Sequence, residues 1–427
     1  MSTYKKNFQM QDKYNLGLSL LICAIIPSLV LGAAVMEFFI ILSCILFFFL
    51  NSKKIGLDYY KKNFFIFFSL FCFFLILSSL LSDNLLNSLR STIFYFRFGI
   101  LALIICYLLD NYKKFKLLFF NSISITLIAV IVYSFMQIFF LKNFINPTRI
   151  SGLFGDELVQ GSFLLRIIPV FFIFFFYNKA IFDKKYFIFI CYLILSSSLL
   201  LIIFAGGRSA IFLSGICIFL SFFFLRLNFT KIFLSSVLIL TISASAFYIY
   251  PKSKVRVIDR TIKQLFYVQN SLGHNVKKKL NFFSEGHQDH METGILIFKK
   301  NYILGVGVRN FRIECKNDEY KVVGKYYCST HPHNTYIQLL AETGLIGFSF
   351  IVFFLFFLFK KIYIFFKEGA NQKKKLNIPL ASCFVVILIN LFPFVPTGSF
   401  FNNWLSTLYY IPIGLLLHEI DNNMKVE

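Results

Sequence analysis

Residues 329–344 read STHPHNTYIQLLAETG, two histidines flanking a proline directly before an apolar helical pattern. Histidine has an unperturbed pKa near 6.5, so its neutral form can accept a proton near neutral pH. Pro332 pushes the residue before it out of the helical region. A helix therefore starts just after it, and Asn334 or Thr335 can cap that helix. His331 and His333 stand at or just before its N-terminus, where free N–H groups and the helix dipole favour an anion. The plain alternative is structural, with the imidazoles capping the helix.

Two arginines have a similar claim. Arg208 lies in AGGRSA (205–210) between two apolar runs, where glycines allow close backbone approach. Its planar fork stays charged and suits phosphate oxygens; the alternative is snorkelling to an interface. Arg149, in RISGLFGDELVQGSFL (149–164), follows the same logic. Arg97 falls inside an apolar run, as a lipid-phosphate contact or half of a structural pair. HQDH (287–290), with His331 and His333, offers a possible metal set, since two imidazoles three apart share a helical face and zinc accepts such ligands. No cysteine or acidic cluster completes that pattern.

The elements that must hold these groups are membrane helices. The chain has 427 residues, 58% hydrophobic and 15% charged, with 61 Phe, more apolar surface than a soluble core needs. Twelve apolar stretches are long enough, or nearly so, to cross roughly 30 Å of hydrocarbon: 16–32, 35–50, 63–81, 91–109, 117–140, 161–177, 186–204, 210–225, 232–250, 335–359, 377–395 and 402–418. The first is read as a retained helix, because no small-residue cleavage site follows it. The expected fold is an all-α integral membrane protein: helices 1–9 within 1–250, one large polar loop at 251–334, and helices 10–12 within 335–427.

Charge sets the orientation. The net +23 does not call for nucleic acid, because the lysines cluster in alternate short loops: Lys53, Lys54, Lys61 and Lys62; Lys113, Lys114 and Lys116; Lys179, Lys184 and Lys185; Lys360, Lys361, Lys367 and Lys373–Lys375. Those loops and the N-terminus are read as cytoplasmic. SDNLLNS and PTGSFFNN carry no lysine and lie outside with 251–334. Seven of nine cysteines fall in apolar stretches as packing residues. Cys315 and Cys328 fall in the outer loop, where an oxidising compartment permits a disulfide that would brace the histidine segment.

HPHNTYIQLLAETGLIG resembles the signature closing the large periplasmic loop of the O-antigen ligase / O-antigen polymerase superfamily. RISGLFGDELVQGSFL, AGGRSA and ILGVGVRNF (303–311) are similar, in the same order, to that family's Arg-Ser-Gly, arginine-turn and Gly-x-Gly-x-x-Asn-Phe segments. The resemblance covers about residues 140–350. It implies a glycosyltransferase of the bacterial inner membrane, its active site facing the periplasm. The donor would be a glycan on undecaprenyl pyrophosphate and the acceptor a hydroxyl of lipid A-core or another glycan.

The resemblance also implies residue roles. His333 would be the general base, with His331 orienting it or binding diphosphate and Asn334 capping the helix or fixing the ring. Arg208 and Arg149 would hold the diphosphate. Many members carry a further arginine about twenty residues before the Gly-x-Gly segment. Here that region reads SEGHQDHME, leaving Arg309, Arg312 and Arg260 as substitutes. No cofactor or metal is expected, since arginines and a helix terminus already serve the diphosphate.

A polymerase extending carrier-linked repeat units and a protein-glycosylating relative fit the same residues. A secondary transporter of another class fits less well. The apolar stretches hold almost no carboxylates near their middles, with Glu37, Glu342 and Glu419 all near ends, and no two halves repeat.

Overall fold

Without water in the hydrocarbon layer, backbone polar groups must be satisfied within the segment, so long apolar runs fold as helices. The computed structural model describes residues 2–52, 57–142, 148–179, 185–269, 275–277, 283–322, 326–370 and 376–425. Of the loop lysines named above, Lys53, Lys54, Lys184 and Lys373–Lys375 lie outside these. The principal helices are α1 (Ser2–Leu31), α2 (Ala33–Ser52), α3 (Asn63–Leu80), α4 (Leu85–Thr92), α5 (Phe96–Asn111), α6 (Lys114–Met136) and α7 (Gln160–Tyr177). They continue as α8 (Lys185–Phe204), α9 (Arg208–Phe224), α10 (Phe229–Ile249), α11 (Glu285–Lys300), α12 (Thr335–Ala370), α13 (Ile378–Asn390) and α14 (Asn403–Lys425).

Among the described residues, seven helices are long and apolar enough to cross a membrane: Met10–Leu31, Asn63–Leu80, Leu85–Asn111, Lys114–Leu141, Gln160–Tyr177, Phe229–Ile249 and Thr335–Glu368. Ala33–Phe49, Phe189–Phe204, Arg208–Phe224 and Ile378–Asn390 are shorter apolar helices. With α14, these helices overlap the twelve apolar stretches of the sequence, seven of them with the length and composition of a span. α14 packs along α5, α1 along α2 and α6, and α13 against α7. Aromatic edges fill the core, as where Tyr95 meets Phe98 at 5.3 Å and Phe401 at 5.6 Å. Arg97 is half of a structural pair, its Nε 2.8 Å and its Nη2 3.1 Å from the Glu37 carboxylate.

Segment 251–334 caps one end of this bundle. It is not wholly helical: β1 (Tyr267–Gln269) pairs antiparallel with β2 (Asn275–Lys277). Ser78 Oγ donates to Leu304 O at 3.0 Å, and Asn87 Nδ2 to Arg309 O at 3.1 Å.

The expected single span from residue 335 is interrupted at Gly344, whose φ of 62° breaks helical geometry. The break interlocks with 302–307. Val306 N donates to Ala341 O at 3.0 Å, Gly307 N to Glu342 O at 2.9 Å, and Leu345 N to Tyr302 O at 2.8 Å. A Cβ on Gly344 would lie 2.2 Å from Ile303 O, and one on Gly305 2.4 Å from the Glu342 carbonyl carbon. Close backbone approach thus explains the glycines of ILGVGVRNF and AETG.

Candidate active site

Asn334 opens α12. Its Oδ1 accepts from Tyr336 N at 3.0 Å and Ile337 N at 3.1 Å, while its Nδ2 donates to Pro393 O at 2.8 Å. A cap of this kind contributes about 1 kcal/mol to helix stability. Here it also ties the helix to loop 391–402. That loop forms the floor of the site: Thr397 N donates to His333 O at 2.8 Å, and Phe400 N to Gln338 Oε1 at 2.8 Å. His333 itself has a left-handed backbone, φ 58°. This conformation costs a residue with a Cβ about 1–2 kcal/mol, and the Thr397 and Asn334 bonds on either side hold it.

Four imidazoles meet here. The His333 ring centroid lies 4.1 Å from that of His331, 4.9 Å from His287 and 5.1 Å from His290. His287 and His290 come from one face of α11. The two HPH histidines are held differently. His331 Nε2 lies 3.2 Å from Thr397 O, a carbonyl that can only accept. Nε2 therefore carries the proton, and Nδ1 accepts from the Thr330 hydroxyl at 2.9 Å. Both nitrogens of His331 are thus committed. His333 has one long contact of ordinary geometry, Nε2 to Ser329 Oγ at 3.3 Å.

Burial and the neighbouring imidazoles push the His333 pKa down to about 3, against a small opposing effect of the Thr397 carbonyl. Burial likewise lowers His331 to about 4, against the Thr397 carbonyl bond. His287 and His290 are lowered by burial as well. With all four lowered, the imidazoles are uncharged near neutral pH in the empty site.

No three of these rings bring ligand nitrogens within 4.8 Å of one another among the described residues. Among the described residues, Cys106, Asp110 and Asp421 are the group whose three ligand atoms lie within 4.8 Å of one another. That group sits beside Lys62 at the start of α3, whereas Ser78 near the end of α3 bonds Leu304 of the cap. Lys62 donates to Asp421 there, and His418 Nδ1 lies 2.5 Å from Asp110 Oδ1, so its carboxylates are already matched.

Two cavities open on the histidines. One, of about 660 Å³, is lined by His333, His287, Arg149, Arg166, Arg208 and Arg256 among others. Arg149 donates through Nε to Ala205 O at 2.8 Å and through Nη2 to Leu158 O at 2.9 Å. Arg208 donates to the Gln264 carboxamide oxygen. Gly206, at φ 61°, lies between the stems of Arg149 and Arg256, each 3.1 Å from where its Cβ would be. That is the local reason for AGGR: a side chain there would part the two guanidiniums. Burial and the Arg256 charge lower the Arg149 pKa to about 10, still cationic. Several cations held this close call for an anion.

The second cavity, of about 630 Å³, is lined by His331, Thr330, Arg309, Arg312, Trp404 and the α1–α2 turn among others. Ser162 and Gly398 line both cavities. Beneath the first cavity runs an apolar groove of about 310 Å³ between α7, α8, α9, α10 and α13, meeting it at Leu165.

The structure thus brings His331, His333, Arg149 and Arg208 together and places Arg309 across the histidine pair from the other arginines. Arg260 is exposed and outside both linings. Cys315 and Cys328 are joined as a disulfide with Cα atoms 5.1 Å apart, closing the stretch before Ser329. Sequence reasoning misses Arg166, Arg256 and loop 393–400. Arg166 carries a usable signal, an ionisable residue inside an apolar stretch. Arg256 carries none apart from its amphipathic segment.

Residues 191–352 match the family model described as O-antigen ligase. This stretch runs from α8 through the cap into α12 and contains Arg208, the four histidines, Arg309 and the disulfide, but not Arg149 or Arg166. No curated protein matches the chain significantly.

Proposed function

We propose that this multi-pass membrane protein, whose residues 191–352 match the O-antigen ligase family model, is a ligase of the O-antigen ligase / polymerase superfamily. It moves a glycan from undecaprenyl pyrophosphate to a hydroxyl of lipid A-core, at the periplasmic face of the bacterial inner membrane. The observation that carries this reading is the His331–His333 pair at the junction of two cavities, one of them rich in arginine.

The apolar groove below Leu165 suits the polyprenyl chain, and Arg149, Arg208 and Arg256 suit its diphosphate. The acceptor hydroxyl oxygen attacks the anomeric carbon and a new C–O bond forms. The bond from that carbon to the diphosphate oxygen breaks, and its electron pair leaves with undecaprenyl diphosphate. The hydroxyl proton passes to His333, which His331 and the left-handed backbone hold in place. In the empty site His333 is too weakly basic to be charged near neutrality. A diphosphate bound beside it raises its pKa, since a nearby anion favours the imidazolium. The base thus gains strength when the donor is in place.

The reaction needs no divalent metal on this reading, because preorganised guanidiniums stabilise the developing charge. Twelve spans with the lysine-rich loops in the cytoplasm put the capped end outside.

The test is loss of the gene followed by analysis of lipopolysaccharide. A ligase defect leaves full-length chains unattached on the carrier. Core bearing a single repeat would instead make the protein a polymerase, and unchanged lipopolysaccharide would refute both.

A further inference from the structure

The second cavity is not explained by the donor. It lies beside His331, between the α1–α2 turn and the start of α14, and its two guanidiniums are poorly matched. Arg309 donates through Nη2 to Phe401 O at 2.8 Å, but its buried Nε has no partner. Arg312 makes no hydrogen bond or ion pair among the described residues, and its Nε is likewise buried and unpartnered. A buried donor left unsatisfied is costly, and both guanidiniums line the cavity, so it offers poorly matched cationic donors to an acceptor of hydrogen bonds. Arg309 holds a left-handed backbone, φ 61°, and Asn87 Nδ2 bonds its carbonyl at 3.1 Å, so its position is imposed by the fold.

Two further features describe the ligand. Trp404, the one tryptophan of the chain, lines the cavity with its ring pinned by an Nε1 bond to Leu29 O at 2.9 Å. A fixed indole face is a platform for the apolar face of a sugar ring, as amphipathic aromatic surfaces are for ligands generally. Leu29, Val30, Leu31 and Leu405 give the cavity an apolar lip. Glu157 is the carboxylate in the lining, and it is exposed at the rim.

We infer that this cavity is the acceptor subsite and that it takes a sugar carrying an anionic group, a phosphate or a carboxylate, clamped by Arg309 and Arg312 while its ring lies on Trp404. The inference rests on the transferase reading and deepens it by naming the class of acceptor. It also gives the arginines separate roles. Arg149, Arg208 and Arg256 face the leaving diphosphate, and Arg309 and Arg312 face the acceptor. Burial and the Arg312 charge both lower the pKa of Arg309, and an anion between the two would relieve that repulsion.

The test separates binding from transfer. In an Arg208→Gln/Arg256→Gln background, which weakens the other anion site, saturation-transfer NMR would follow mannose 6-phosphate, glucuronic acid and mannose. One or both anionic sugars should bind at least fivefold more tightly than mannose, and which one does distinguishes phosphate from carboxylate. Adding Arg312→Gln should erase that preference; Arg312→Lys, which keeps the charge but not the fork, should retain part of it and report on folding. Equal binding of all three sugars, or an anion preference that survives loss of Arg309 and Arg312 together, would overturn the inference. If the Arg208→Gln/Arg256→Gln background shows this preference while the purified wild-type protein transfers no glycan, that counts against the transferase reading alone.

Discussion

At the residue scale the two HPH histidines are held differently. His331 has both nitrogens committed, to Thr330 and Thr397, whereas His333 has a long contact to Ser329 Oγ and a weaker interaction with the Thr397 carbonyl. Removing a general base typically costs 10²–10⁴ in rate. His333→Ala should therefore lower kcat by about that factor, while His331→Ala, which removes a positioning group, should lower it by roughly tenfold. A single-turnover assay would rank them, and the reverse order would move the base to His331. The same pair makes stability depend on pH. Their folded pKa values of about 3 and about 4 lie below the unfolded value near 6.5. Between these limits the unfolded chain binds more protons, so the stabilisation is present above pH 6.5 and is lost as pH falls toward 4. Thermal melting of detergent-solubilised protein should show a drop from pH 7 to pH 4.5, and His331→Gln/His333→Gln should flatten it.

At the element scale the cap matters through the segments that hold it. The Cys315–Cys328 bridge closes a ring of about fourteen residues, which by chain entropy constrains the open segment by about 3 kcal/mol. It ends directly before Ser329, the partner of His333. Cys315→Ser, Cys328→Ser and the double variant should all lower activity to a similar extent while the protein still inserts and its helices stay folded. Mass spectrometry of non-reduced peptides, with circular dichroism alongside, measures both halves of that expectation. Free thiols at both positions in protein from an oxidising compartment would remove the premise. The interlock of Gly344 with 302–307 is the second brace, joining the cap to the membrane helix below it.

At the scale of the whole molecule, orientation and metal dependence are each measurable. Single cysteines at Glu157 and Lys179, in a background stripped of free thiols, lie at opposite ends of α7. A membrane-impermeant maleimide should label Glu157→Cys in intact spheroplasts and Lys179→Cys after permeabilisation, and the opposite pattern would turn the site toward the cytoplasm. Transfer by purified protein should be unchanged by EDTA. Activity lost to chelation and restored by one metal would redirect attention to the four imidazoles as ligands.

Local chemistry was legible in the chain. Apolar runs, their lysine-bearing breaks, the proline that starts α12 and the asparagine that caps it all act within a few residues of themselves, so sequence alone located the helices, the HPH pair, Arg208 and Arg149. The bulk of the cap was legible as a polar loop. Its short strand pair was not, because three residues on each side carry too little alternation to signal a strand; nor was the break at Gly344, which depends on packing against the distant segment 302–307. The same holds for the site. Arg256 joins Arg149 across Gly206, loop 393–400 rises beneath the histidines from beyond α13, and Arg309 falls on the far side of His331 from Arg208. No spacing rule carries that information, since which face of a guanidinium meets which cavity is set by how separate helices pack. Residue type and local pattern marked these arginines and histidines as candidates at the ends of apolar stretches; packing brought them together at one end of the bundle and divided them between two cavities.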